Sequence, residues 1–113
     1  MSGITTHILD ISIGRPASGV AVTLAAADGT GGWDERARVR TDADGRATLI
    51  GPDEPAAAGD FRLRFEVAAY LAERAEDVFY PRVDVHFTLA HPDQHYHVPL
   101  LLSPYGYSTY RGS

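Results

Sequence analysis

Apolar and polar residues alternate along most of this chain, the mark of strands that bury one face. The alternation is clearest at Phe61-Arg62-Leu63-Arg64-Phe65-Glu66-Val67, where apolar side chains point one way and charged ones the other. It returns at Val83-Asp84-Val85-His86-Phe87-Thr88-Leu89 and, more weakly, at Val20, Val22 and Leu24 and from Arg36 to Arg40. Turn formers stand between these runs: Asp28-Gly29, Gly31-Gly32, Asp44-Gly45 and Gly51-Pro52. The pattern predicts strands near residues 4–10, 19–27, 33–41, 45–49, 60–67, 83–90, 95–102 and 106–112. One stretch, Ala68 to Ala75, is rich in good helix formers and predicts a helix of one or two turns. Many short strands with regular turns imply an all-β fold, an antiparallel β-sandwich of about eight strands with one short helix.

Composition narrows the functional classes. The 113 residues suit a single domain with a two-layer core, and no repeat or low-complexity linker divides them, so residues 1–113 are taken as one unit. The absence of cysteine excludes disulfides and thiolate metal sites. All ten positive charges are arginine, so no lysine is available for a Schiff base or as a general base. A formal charge of −5 argues against nucleic acid, which demands a basic patch. No apolar run is long enough to span a bilayer as a helix, and no leader-like segment is visible at the start, so the expectation is no membrane partner and a cytoplasmic location.

Candidate chemistry lies near the two ends of the sequence. His7 sits in Thr5-Thr6-His7-Ile8-Leu9-Asp10, a predicted strand on which Thr5, His7 and Leu9 share a face, and His95 and His97 share a face on another. Imidazole is the side chain best suited to proton transfer near neutral pH, and two facing one site can divide the work of a base and its partner. The bland alternative is a set of edge-strand histidines satisfied by water. His-x-His with His7 as a third ligand would also suit zinc, but no carboxylate pattern supports it. Arg46, after the turn Asp44-Gly45, is by residue type a solvated hairpin residue. As a functional group it is a guanidinium fork able to bind a planar, oxygen-rich substrate and a developing oxyanion. Ser103 and Ser108 lack the Gly-x-Ser-x-Gly context of a serine nucleophile.

Longer stretches carry a family resemblance. His7-Ile8-Leu9-Asp10, Gly14-Arg15-Pro16-Ala17 and Val20-Ala21-Val22 near the start, with Tyr96-His97-Val98-Pro99, Leu102-Ser103-Pro104-Tyr105-Gly106-Tyr107-Ser108 and Tyr110-Arg111-Gly112-Ser113 near the end, resemble the transthyretin-like family. Within it the chain is similar to the 5-hydroxyisourate hydrolase branch, whose markers are His7, Arg46, His97 and the Tyr-Arg-Gly-Ser ending. Hormone-carrying transthyretins have lysine, glutamate and threonine at the first three places and lack that ending. The resemblance implies a transthyretin-like sandwich and a homotetramer, a dimer of dimers with active sites in the channel between dimers. It implies hydrolysis of 5-hydroxyisourate to 2-oxo-4-hydroxy-4-carboxy-5-ureidoimidazoline without metal or organic cofactor. His7 and His97 would form a water-activating dyad and Arg46 would bind the ring and the oxyanion. Tyr110 would contribute to substrate binding, and Ser113 would orient substrate or water. His95 and Tyr107 would support the site. Two departures are small: Ile11 stands where a small or hydroxyl residue is commoner, and Tyr105 where tryptophan or phenylalanine is frequent. The alternatives are a carrier holding an aromatic ligand in the same channel without turnover, and a β-sandwich interaction module.

Overall fold

Two packed sheets and one short helix account for the alternating segments in a computed structural model of the chain, which describes residues 2–74 and 77–113. In chain order the elements are β1 (Gly3–Asp10), β2 (Arg15–Pro16), β3 (Ala21–Ala27), β4 (Trp33–Arg40), β5 (Arg46–Ile50) and β6 (Gly59–Glu66), then α1 (Ala68–Arg74), β7 (Val83–Leu89), β8 (His95–His97), β9 (Leu100–Ser103) and β10 (Gly106–Thr109). One sheet runs β4-β3-β6-β7 and is antiparallel throughout. The other is built around β1, with β5 and β2 on one side and β8 and β9 on the other, β10 closing the edge beyond β9.

The sandwich follows the sequence pattern, with differences of detail that include the two-residue β2, which no predicted strand covers. The expectation of antiparallel pairing fails at β1, which runs parallel to both β8 and β9, so the sheet that carries it is mixed. Alternation reveals which face a strand buries but not the direction of its neighbour. The predicted strand over 95–102 is also divided. Pro99 has no N–H to give to a ladder, and the pairing with β1 lapses between His97 and Leu100. A single bond from the Val98 amide to the Thr5 carbonyl (2.9 Å) spans the gap.

Each strand buries the face its pattern marks. Ile4 and Ile8 of β1, Leu100 and Leu102 of β9, Val22 and Leu24 of β3 and Leu63 and Phe65 of β6 are all fully enclosed between the sheets. Thr6 also points inward, and its hydroxyl is satisfied by donating to the Val98 carbonyl at 2.6 Å. The opposite face of β1 therefore carries Thr5, His7 and Leu9 away from the core.

Helix α1 presents Leu71 to the core. The predicted helix end at Ala75 lies outside the described residues. α1 is tied to β1 through Asp10, whose buried carboxylate accepts bonds from the Ser12 amide and hydroxyl and from the Tyr70 hydroxyl (2.6 Å), and forms an ion pair with Arg74 (3.3 Å). Burial works against the charge of Asp10, but these donors outweigh it and hold its pKa below the usual carboxylate value. Among the described residues no helix is long and apolar enough to cross a membrane.

Candidate active site

The turn before β5 sets the first functional side chain. Asp42 accepts the Asp44 and Arg46 amides with one carboxylate oxygen, folding the chain into a tight turn. Gly45 completes it at φ +75°, where an added Cβ would stand 2.5 Å from the Ile8 carbonyl oxygen. β5 leaves this turn paired with β1 so that Arg46 lies opposite His7 and Thr48 opposite Thr5. On the other side of β1, Thr5 pairs with His97. Register alone thus brings His7, Arg46, Thr5, Thr48 and His97 to one face of one sheet.

A polar cavity of about 250 Å³ lies on that face, lined by Thr5, Thr6, Arg46, Ala47, Thr48, His95, His97 and Ser113. Ser113 arrives because the C-terminal segment folds back over β8. Gly112 forms an isolated antiparallel bridge with His97, its amide donating to the His97 carbonyl at 2.7 Å. A Cβ at this position would sit 2.7 Å from His97 Cδ2, so any other residue would force the imidazole or the segment to shift. Arg111 secures the same segment by donating to Gln94 Oε1 (3.1 Å) and the His95 carbonyl (3.3 Å), with its guanidinium 4.2 Å from the centre of the Tyr96 ring.

His97 is the half-buried group of the site. Its Nδ1 is 2.8 Å from the Thr5 hydroxyl, which also lies 2.9 Å from Nε2 of the exposed His95. Burial first, then the Arg46 guanidinium, then His95 and His7, lower the His97 pKa below the usual histidine value, while a hydrogen bond with the Thr5 backbone opposes them. These surroundings favour the neutral ring, the form that can accept a proton. The Arg46 guanidinium has no hydrogen bond or ion pair to another side chain among the described residues, leaving its donors free for a ligand.

Of the residues singled out from the sequence, Arg46, His97 and Ser113 share this cavity. His7 stands beside it, opposite Arg46, and acts on His97 through charge; among the described residues no hydrogen bond joins the two imidazoles. Tyr110 lines a different cavity of about 150 Å³, between β7 and the C-terminal segment, with Phe87, Tyr96 and Arg111. The threonines at 5 and 48 are cavity residues that residue chemistry alone did not single out. Alternation already places Thr5 on the face of His7, and the same rule would have found Thr48, two residues from Arg46. Among the described residues no group of three His, Asp or Glu side chains converges as a metal site.

Comparison with known proteins follows the same lines. The model of the HIUase/Transthyretin family matches residues 4–112. The chain belongs to that family. A 5-hydroxyisourate hydrolase of Caulobacter vibrioides is 48% identical, with the whole of both chains covered. The structure of Klebsiella pneumoniae 5-hydroxyisourate hydrolase matches at TM-score 0.85 and 37% identity over the whole of both chains. Transthyretin from Sparus aurata matches at TM-score 0.88 and 32% identity, over 97% of this chain and 96% of that one. The backbone thus fits hydrolase and transthyretin equally well, and the side chains of the cavity must separate them.

Proposed function

We propose that this protein hydrolyses 5-hydroxyisourate, opening a ring amide to give 2-oxo-4-hydroxy-4-carboxy-5-ureidoimidazoline. The observation that carries the reading is the polar cavity, in which a neutral imidazole, an uncommitted guanidinium and several hydroxyls converge. The 48% identity to a hydrolase across the whole chain supports it. A carrier of an aromatic ligand needs an apolar lining and has no use for a proton acceptor.

His97 Nε2, which makes no hydrogen bond to the protein among the described residues, takes a proton from water as the oxygen attacks the ring carbonyl. Arg46 donates to the substrate and to the oxyanion that forms there, where a preorganised cation in a partly dry site is most effective. The C–N bond then breaks, the ring nitrogen receives a proton, and the water oxygen remains in the new carboxylate. His7, opposite Arg46, is the second member of the dyad. Ser113 orients water or substrate. A substrate contact from Tyr110, on the far side of Gly112, would have to come across a subunit boundary. The assembly we propose is a homotetramer. β7 and β10 are free sheet edges flanking one cleft, and Phe79, Tyr105 and Tyr107 are exposed beside them, an arrangement that favours association of like subunits.

The test is to generate 5-hydroxyisourate in place from urate with urate oxidase and follow its ultraviolet decay. Decay far faster with the protein than without it is expected. Decay at the spontaneous rate, or slowed by sequestration, would favour the carrier instead.

A further inference from the structure

One hydroxyl stands between two imidazoles in this site, and its single proton dictates how they are protonated. Thr5 Oγ1 is within hydrogen-bond distance of His97 Nδ1 (2.8 Å) and His95 Nε2 (2.9 Å). A threonine hydroxyl donates once and can accept as well. If Thr5 donates to His95, His97 must carry its proton on Nδ1, and its Nε2 lone pair faces the cavity. If Thr5 donates to His97, the proton of His95 lies on Nε2 and that of His97 on its own Nε2. The first arrangement makes His97 a base and the second an acid, and the two neutral rings switch only together.

We propose that Thr5 is a positioning residue that couples the two rings, with His95 the route by which a proton taken at His97 reaches solvent. The proposal rests on the hydrolase reading and deepens it. When His97 Nε2 takes the water proton, its Nδ1 proton passes to Thr5 Oγ1, the Thr5 proton passes to His95 Nε2, and His95 releases its Nδ1 proton to bulk water. No charge remains on His97, and its Nε2–H is now placed to protonate the departing ring nitrogen. When that proton has been given, the chain resets by the reverse transfers, with one proton drawn from solvent at His95. Exposure suits His95 to this exchange and partial burial denies it to Nδ1 of His97.

The charges around the chain favour the same direction. His97 faces Arg46 on β5 and His7 on β1 as well as His95 on its own strand, and all three disfavour a lasting imidazolium there. A positive charge formed next to Arg46 is better held one residue pair away at the solvent edge. The pair is geometrically fixed: the rings lie 6.5 Å apart, centre to centre, on one face of β8.

Thr5→Val keeps the β-branched shape and removes the hydroxyl, and Thr5→Ser restores it. The first measurement is nitrogen-15 NMR of the ring nitrogens in the full-length protein, which reads tautomers without turnover. Matching tautomers at His95 and His97, both Nδ1–H or both Nε2–H, in wild type and Thr5→Ser, lost in Thr5→Val, are expected. The second is hydrolysis of 5-hydroxyisourate. We expect kcat to fall roughly ten- to a hundredfold in Thr5→Val with KM little changed, to recover in Thr5→Ser, and to rise again in Thr5→Val with added imidazole buffer. An unchanged kcat and pH profile in Thr5→Val, in an active wild type, would overturn the relay and leave the hydrolase standing. Independent tautomers at the two rings would overturn the coupling whether or not wild type turns over. An inactive wild type would remove the hydrolase reading and the relay with it.

Discussion

At the scale of single residues, the site depends on keeping one imidazole neutral beside one cation. Partial burial and Arg46 lower the His97 pKa, so kcat/KM should rise with pH through a value below that of an ordinary histidine and be level at neutrality. A pH–rate profile checks this, and an inflection above the ordinary histidine range would contradict it. Arg46→Lys keeps the charge but not the fork, and about a hundredfold loss in kcat/KM is expected in steady-state kinetics. Gly112→Ala is a sharper probe, because it touches no substrate. Its Cβ would meet His97 Cδ2 at 2.7 Å, so the imidazole or the C-terminal segment must shift. We expect a loss of about ten- to a hundredfold in kcat with the fold intact by circular dichroism. Full activity would mean that the bridge between Gly112 and His97 does not define the working geometry.

Among the elements, β1 does most to organise the molecule. Its inner face supplies Ile4 and Ile8 to the core, its outer face Thr5 and His7 to the site, and its end Asp10 to the helix. Tyr70→Phe removes one donor to a buried carboxylate and should cost about 1–3 kcal/mol in denaturant unfolding, with hydrolysis barely altered because α1 does not line the cavity. The strands were legible in the sequence because alternation reports burial directly, as in Phe61 to Val67. The parallel pairings of β1 and the break at Pro99 were not, because both depend on which strands become neighbours. The same holds at the site. His7, Arg46 and His97 stand out by residue type, whereas Thr5 becomes significant only when register sets it between two imidazoles. Tyr110 shows the reverse: it is conspicuous in the sequence, but it turns toward the cleft beside β7.

For the whole molecule, acid should weaken the fold. Asp10 has a lowered pKa, so the unfolded chain takes up its proton first, and the stability it provides is present above the ordinary carboxylate value and lost as pH falls toward the folded one. His97 acts in the same direction at higher pH. Its folded pKa is also lowered, so stability begins to fall as pH drops through the unfolded histidine value of about 6.5. Urea midpoints measured from pH 8 to pH 4 should decline, with the decline above pH 5 reduced in His97→Gln. The exposed aromatic cleft and two free sheet edges lead us to expect four protomer masses by light scattering at micromolar concentration. A stable monomer would contradict the proposed assembly. The central claim is that the cavity shared by Arg46 and His97 carries out hydrolysis, and the most direct measurement is the decay of enzymatically generated 5-hydroxyisourate with wild type, Arg46→Ala and His97→Ala side by side. Rapid decay with wild type, reduced by about 10²- to 10⁴-fold in each folded variant, is the predicted result; equal rates in all three would place the chemistry elsewhere.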